Sequence, residues 1–119
     1  MKGEILEPRR IRRIGLRKAG PGLVLLMIGH FYRVSIEDLR AATRREARAA
    51  FARQIVMYFL HVVYGMSLTE VAAILRRDRS TVSHACHHVE DMRDDPLLDR
   101  QLSQLERLLH DAAAIEGTP

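Results

Sequence analysis

Apolar residues recur about every three to four positions along most of the chain, which is the spacing of amphipathic helices. After a glycine-proline-glycine break at 20–22, the pattern predicts a first helix over 23–32, a short second helix over 35–42 and a long central helix over 43–64. A last helix begins at Pro96, because proline fits the first helical turn. No alternating strand pattern and no internal repeat is found in the sequence, so we expect an all-α fold of about six helices.

The helix boundaries carry capping signals. Ser35 with Asp38, and Ser67 with Glu70, each place a hydroxyl before a helix and an acid three residues later, as in a capping box. Gly65 ends the central helix, since glycine adopts the left-handed conformation found after helix ends. The central helix carries apolar residues on one face, namely Phe51, Ile55, Tyr58, Phe59 and Val62. The last helix carries a leucine stripe, interpreted as core packing in preference to a dimer seam: Leu97, Leu98, Leu102, Leu105, Leu108 and Leu109.

Residues 67–89 carry the most specific pattern of the chain. Four apolar residues at helical spacing predict one short helix, and they are Leu68, Val71, Ala72 and Leu75. The rhythm breaks at Arg76-Arg77-Asp78, with Asp78 placed to cap a second helix. It then resumes with Val82, Ala85, Cys86 and Val89. Two short helices joined by a tight basic turn are typical of a helix-turn-helix, whose second helix enters the major groove of DNA.

The composition is that of one globular domain. The 119 residues include 47% hydrophobic and 29% charged residues, with no tryptophan. The longest apolar run, 23–28, is too short to span a bilayer, so no membrane partner is expected. One cysteine cannot form an internal disulfide, and this favours the reducing cytoplasm, where a DNA-binding protein would be associated with the nucleoid.

Charge is distributed unevenly along the chain. Residues 1–20 hold seven Lys/Arg against two Glu, residues 21–89 hold nine against five acids, and residues 90–119 hold three against eight. The basic parts would attract a polyanion and the acidic end would repel one. We therefore expect a flexible basic arm over 1–20, a helix-turn-helix domain over 21–113 and a disordered tail over 114–119. The arm either contacts phosphates or the minor groove, or serves only as a solubilising tail.

Residues from about 23 to 109 resemble the C-terminal DNA-binding domain of the bacterial chromosomal replication initiator DnaA. The family's stretch Gly-Gly-Arg-Asp-His-Thr-Thr-Val-x-His-Ala-Cys is similar to Leu-Arg-Arg-Asp-Arg-Ser-Thr-Val-Ser-His-Ala-Cys at 75–86. Its Arg-Gln-Ile-Ala-Met-Tyr is similar to 53–58. The resemblance implies a Trp-repressor-like helix-turn-helix architecture. It also implies a sequence-preferring double-stranded DNA-binding protein that controls replication initiation or transcription at sites like the initiator's box.

The resemblance also implies roles for matching residues. Asp78 would accept hydrogen bonds from cytosine N4 groups, and phosphates would be held by Thr81 and by the Arg53 and Arg77 side chains, as well as by the backbone at 67–68. With the outward residues of the second helix and the basic turn added, the expected DNA-binding residues are Arg53, Ser67, Leu68, Arg76, Arg77, Asp78, Arg79, Ser80, Thr81, Ser83, His84 and His87.

Departures from the family pattern fall mostly on the surface that reads sequence. Arg79 replaces the family's His and would prefer a guanine edge or a phosphate to a thymine methyl. Ser80 replaces Thr and keeps only the hydroxyl. Phe51-Ala52 replaces an Arg-Pro whose Arg reaches the minor groove, a role that Arg48 or the arm would have to fill. His87-His88 replaces Arg-Lys, which removes two positive charges.

The changed surface keeps a second hypothesis open. The chain could be a protein-interaction regulator that contacts the replication initiator or its regulators and binds DNA weakly. An enzyme ranks behind both readings, because the sequence has no paired acids in a pocket pattern. The phosphate loop of an ATPase, Gly-x-x-x-x-Gly-Lys-Ser/Thr, does not occur in this sequence. We therefore expect a DNA-reading domain acting alone, without a nucleotide or other cofactor.

The histidine-rich segment around Cys86 invites a metal site, but helical geometry opposes it. His84 and His88 share a face while Cys86 points about the opposite way, so four ligands cannot converge. We expect no metal, and we interpret Cys86 as a core thiol.

Overall fold

The computed structural model describes residues 16–41 and 46–116, and within these ranges the chain forms six α-helices and no strand. The helices are α1 (Leu16–Tyr32), α2 (Ile36–Arg40), α3 (Ala47–Tyr58), α4 (Leu68–Leu75), α5 (Arg79–Met92) and α6 (Pro96–Glu116), and α3 continues into a π-helical turn, Phe59–Val63. The expected all-α class with a helix-turn-helix is confirmed. None of the described helices is both long and apolar enough to cross a membrane.

The first and last helices are longer than predicted. α1 begins at Leu16 rather than at residue 23, although Gly20 has the non-helical angles φ 74° and ψ 151° at the predicted break. Pro21 then starts the regular part of α1, where its missing N–H costs no hydrogen bond. α6 continues to Glu116, so the first residues of the predicted tail are helical. The rest of the predicted arm and of the predicted tail lie outside the described residues.

The predicted caps at the short helices are present. Ser35 Oγ accepts from the Asp38 amide at 3.0 Å and begins α2. Ser67 forms the complete capping box with Glu70, with bonds of 3.0 and 3.1 Å. Gly65 follows the π-helical turn with φ 83°, as expected of a residue in the left-handed region. Local sequence signals therefore place the beginnings of α2 and α4 correctly.

The C-terminal half of the central helix is buried on all sides, not on one face as predicted. The six consecutive residues from 55 to 60 are each at most 1% exposed, whereas Phe51 is half-buried. α3 packs against α1, α2 and α5, and the π-helical turn also touches α1 and α4. A helix surrounded in this way needs an apolar surface all round. α3 is therefore the axis on which α1, α2, α4 and α5 are assembled.

α6 is a core helix, as interpreted from its leucines, but not with its whole stripe. Leu102, Leu105 and Leu109 are at most 1% exposed and α6 packs on α1, whereas Leu97 and Leu108 are 69% and 52% exposed. Its position relative to α5 depends on Arg93, which is buried. The Arg93 guanidinium contacts three residues at the start and middle of α6, namely Asp99 (2.6 Å), Ser103 (2.9 Å) and Glu106 (2.6 Å).

Candidate nucleic-acid interface

α4 and α5 form the helix-turn-helix, joined by the three residues 76–78. The apolar side of both helices is buried against the core through Val71, Leu75, Val82, Cys86 and Val89, each of which is 0% exposed. α5 packs on both α3 and α4. Because these residues fix which side of α5 faces inward, its polar residues necessarily face outward.

Two arginines hold this turn against the neighbouring short helix α2. Arg40 Nε, at the end of α2, donates to the carbonyl of Ile74 in α4 at 3.1 Å. In the opposite direction, Arg77 Nη2 donates to the carbonyl of Ala41 at 2.6 Å. Hydrogen bonds from a charged donor are among the stronger ones in proteins. These reciprocal arginine–carbonyl contacts therefore fix the end of α4, and with it the start of α5.

Arg53 and Arg77, both assigned to phosphates by the resemblance, are bound to backbone carbonyls. Arg53 is 5% exposed, and it donates to the carbonyls of Leu39 and Asp38 at 2.7 and 2.8 Å. The other terminal nitrogen of Arg77 lies 3.2 Å from the carbonyls of residues 75 and 76. Helix ends expose carbonyls and a partial negative charge, which attract cations. Both arginines thus have a structural role, and their phosphate contacts stay a prediction.

The N-terminal end of α5 presents charge to solvent. Asp78 is the N-cap with extended angles, φ −73° and ψ 154°, but its side chain makes no capping hydrogen bond. Asp78, Arg79, Ser80 and His84 are exposed, and Thr81 is half-buried. No acidic residue lies in the first turn of α5. Amide groups at a helix N-terminus together with a nearby cation are suited to binding anions.

Further along α5 the outward side is polar and partly involved in local bonds. Ser83 and His87 are half-buried, and a ring nitrogen of His87 lies 2.9 Å from the Ser83 carbonyl. The capping box uses the Ser67 amide, which donates to the Glu70 carboxylate, so this amide is already occupied at the site where the resemblance implies a phosphate contact. Leu68, the next residue, is half-buried.

A groove of about 480 Å³ lies between α3 and α5, and we call it the α3–α5 groove. Its apolar lining consists of Ala50, Met57 and Ala85. Its polar lining consists of Arg53, Gln54, Arg77, Thr81, His84 and His88. These residues include two arginines and two histidines, and none of them is acidic. The groove therefore brings together four of the predicted residues (Arg53, Arg77, Thr81 and His84). Its surroundings attract anions.

Cys86 does not line this groove but lies on the buried side of α5. Its side chain is 0% exposed and its Sγ lies 3.6 Å from the Met57 carbonyl. Burial raises the pKa of the thiol to about 12, because the thiolate is disfavoured away from water. The interpretation of Cys86 as a core thiol is confirmed, and His84 and His88 face the groove instead.

Two groove residues, Gln54 and His88, were not among the predicted site residues. The spacing of His84 and His88 already predicts that they share one face of the helix. From the sequence we used this spacing only to exclude a metal site. The structure also gives a reason for the Phe51 departure. Phe51 is half-buried and packs edge-to-face on Tyr32, with ring centroids 5.4 Å apart. An aromatic packing residue thus stands where the family has an arginine.

Comparison with known proteins agrees with this geometry. The family model described as bacterial dnaA protein helix-turn-helix matches residues 22–89. Chromosomal replication initiator proteins DnaA from Thermoanaerobacter sp. and Thermoanaerobacter pseudethanolicus are each 31% identical over 78 residues. The matched segment is 65% of this chain and 17% of each relative's length. No solved structure matches the chain.

Proposed function

The chain belongs to the bacterial DnaA helix-turn-helix family, and from that premise we propose that it binds double-stranded DNA with a preference for certain sequences. It acts as a binding protein rather than an enzyme, in the control of replication initiation or transcription. Its sites include sequences like the initiator's box, and its place in the cell is on the nucleoid. The observation that carries this proposal is the exposed N-terminal end of α5 beside a groove without acidic residues.

The proposal divides the work between two parts of the surface. Asp78 and Arg79 stand at the tip of α5, where the first residues of a recognition helix reach base edges. A carboxylate accepts from cytosine N4, and a guanidinium donates to guanine O6 and N7. Thr81 and His84, along the α3–α5 groove, contact the sugar-phosphate backbone. Sequence preference therefore depends on the tip, whereas affinity depends on the groove.

The test is selection of bound duplexes from a random pool, followed by salt titrations on the selected duplex and on a scrambled one. We expect the selected duplexes to share a defined motif. We also expect the logarithm of the association constant to fall linearly with the logarithm of the salt concentration. About six phosphate contacts would lower the affinity roughly 10³-fold between about 50 and 200 mM salt. If no duplex binds at the lowest salt, the proposed function is wrong.

The Asp78→Ala variant tests the recognition helix itself. We expect this variant still to bind DNA. At the base pair that the carboxylate reads, its discrimination against the wrong base should fall by about 1–3 kcal/mol. Asp94→Ala is the matched control, because Asp94 is an exposed acid beyond the end of α5. A variant that selects the same motif as the parent would show that Asp78 does not read bases.

One observation favours a second candidate, a regulator that contacts the replication initiator or its regulators. Arg53 and Arg77, two of the expected phosphate-binding cations, donate to backbone carbonyls, which leaves fewer of their N–H groups for DNA phosphates. Under this alternative, duplex binding is absent even at low salt while a replication protein binds the chain directly. The same titration, repeated with purified initiator in place of DNA, separates the two functions.

A further inference from the structure

The turn of the helix-turn-helix contains two adjacent arginines with opposite surroundings. Arg77 is half-buried and its guanidinium donates to three backbone carbonyls. Arg76 is exposed, and within the described part of the chain its side chain has no recorded hydrogen bond or ion pair. Of these two cations, Arg76 is the one whose N–H donors are not already used by other described residues.

Arg76 also holds a backbone conformation that its residue type disfavours. Its angles are φ 57° and ψ 50°, in the left-handed region, where a Cβ crowds the carbonyl and glycine is the usual residue. The conformation is required, because it lets the Arg77 amide donate back to the Ala72 carbonyl at 2.9 Å and end α4. An arginine at this position therefore costs folding energy that a glycine would not.

The position of Arg76 gives that cation a specific neighbourhood. It lies two residues before Asp78, the N-cap of α5, in the turn that the reciprocal arginine–carbonyl contacts hold in place. A phosphate that flanks the bases read by the tip of α5 passes this turn when the helix lies in the major groove. Charge at a fixed place on the DNA side is what a phosphate contact needs.

We propose that Arg76 is a phosphate-binding residue of this helix-turn-helix, retained in a left-handed backbone conformation because of its charge, and that Arg77 positions the turn. This inference rests on the proposed DNA binding. It goes further by saying which of the two arginines contacts the DNA backbone. It also predicts that Arg76 lowers the stability of the fold while it raises the affinity for DNA.

The structure supplies a matched control, because Arg33 is the other described non-glycine residue with positive φ. Arg33 is exposed, has φ 61° and ends α1 with the same pattern, since the Val34 amide donates to the Gly29 carbonyl at 2.7 Å. It belongs to neither helix of the helix-turn-helix. Arg33→Gly and Arg76→Gly thus relieve the same strain and remove the same charge at different places.

The experiment measures thermal unfolding and salt-dependent binding to a selected duplex for the parent, Arg33→Gly, Arg76→Gly and Arg76→Lys. Both glycine variants are expected to raise Tm by a similar amount, on the order of 4 °C. Only Arg76→Gly is expected to bind several-fold more weakly at low salt, with a salt slope smaller by about 0.9. Arg76→Lys keeps the charge and should keep the parent's slope.

Three results would overturn the inference in distinguishable ways. If the parent binds DNA and Arg76→Gly has the parent's slope, Arg76 is not a phosphate contact, although the proposed function stands. If Arg33→Gly loses as much slope as Arg76→Gly, the effect is one of net charge and not of position. If the parent itself fails to bind duplex DNA at low salt, the inference fails together with the proposed function.

Discussion

The two ends of α5 use charged residues in opposite ways. At the N-terminal end Arg79 is exposed and the Asp78 side chain makes no capping bond. At the C-terminal end Arg93 is 4% exposed and contacts Asp99 and Glu106, both at 2.6 Å. The same helix thus anchors the fold with charge at one end and exposes charge to solvent at the other. Substitutions at the two ends should therefore separate stability from binding.

The largest expected effect is at the anchored end. Arg93→Ala removes the cation beside Glu106, which is 2% exposed, and leaves a buried carboxylate without that partner. Breaking a buried ion pair in this way costs about 3–5 kcal/mol. Urea denaturation should show this loss, whereas Arg107→Ala, at an exposed position on α6, should change the free energy of unfolding by less than about 0.5 kcal/mol. If Arg93→Ala lowered the free energy of unfolding by less than about 1 kcal/mol, the ion pairs of Arg93 would contribute little to the stability of the fold.

At the presented end, Arg79→Ala should change binding and not stability. Loss of a base or phosphate contact lowers the affinity for the selected duplex by about 1–3 kcal/mol. The free energy of unfolding should stay within about 0.5 kcal/mol, because a cation at a helix N-terminus does not stabilise the helix. Anisotropy titrations on selected and scrambled duplexes distinguish base reading, which weakens only the first, from phosphate binding, which weakens both.

The control for Arg79 is Arg100→Ala, which removes an exposed cation from α6. If Arg100→Ala weakened binding as much as Arg79→Ala, the effect would follow net charge, and the contrast between the ends of α5 would be lost.

Between the two ends, on the buried side of α5, the thiol of Cys86 makes the stability of the fold depend on pH. Burial raises the pKa of this thiol to about 12, above its value of about 8.5 in an unfolded chain. The neutral thiol therefore stabilises the fold fully below pH about 8.5, and this contribution decreases as the pH rises toward 12. We expect the free energy of unfolding to fall by about 1 kcal/mol at pH 9.5.

The comparison variant for this titration is Cys86→Ala. It should be less stable at neutral pH because of the cavity, but its stability should depend less on pH between about 8 and 9.5. Equal pH dependence in the parent and the variant would mean that Cys86 is not the group that titrates. Burial also raises the pKa of Tyr32 and Tyr64 to about 12, but these hydroxyls contribute equally in the parent and in Cys86→Ala, so the difference between the two proteins reports on the thiol.

Local signals account for what the sequence could predict. The α4–α5 motif and the Ser35 and Ser67 caps depend on residues within a few positions of one another, so their spacing is visible in the chain. The buried thiol of Cys86 followed from the same helical spacing. The start of α1 at Leu16 was not visible, since no cap signal marks it, and the end of α6 at Glu116 was not predicted although Gly117 follows it in the sequence.

Long-range partners account for what the sequence could not predict. The carbonyls bound by Arg53 lie 14 and 15 residues away, and the Ala41 carbonyl bound by Arg77 lies 36 residues away. An arginine in a basic stretch looks the same in sequence whether it meets a phosphate or a carbonyl. The role of Arg93 was missed for the same reason, since its bond to Glu106 spans 13 residues.

The smallest expected effect compares three of the N-caps, Ser35, Ser67 and Asp78. Ser35 and Ser67 both accept a backbone hydrogen bond, whereas the Asp78 side chain makes none. Ser35→Ala and Ser67→Ala should each cost about 1 kcal/mol. Asp78→Ala should cost about 0.5 kcal/mol or less, because without a capping bond it removes only the attraction between the Asp78 charge and the helix dipole. Asp78→Asn removes that charge and should cost about the same.

These caps are compared by urea denaturation and by duplex selection on the same variants. Asp78→Ala should change the base preference while Ser35→Ala leaves it unchanged, because only Asp78 lies at the tip of α5. If Asp78→Ala cost as much stability as Ser67→Ala and selected the parent's motif, Asp78 would be an ordinary cap. The N-terminal end of α5 would then belong with the anchored end, since its charge would serve the fold and not a ligand.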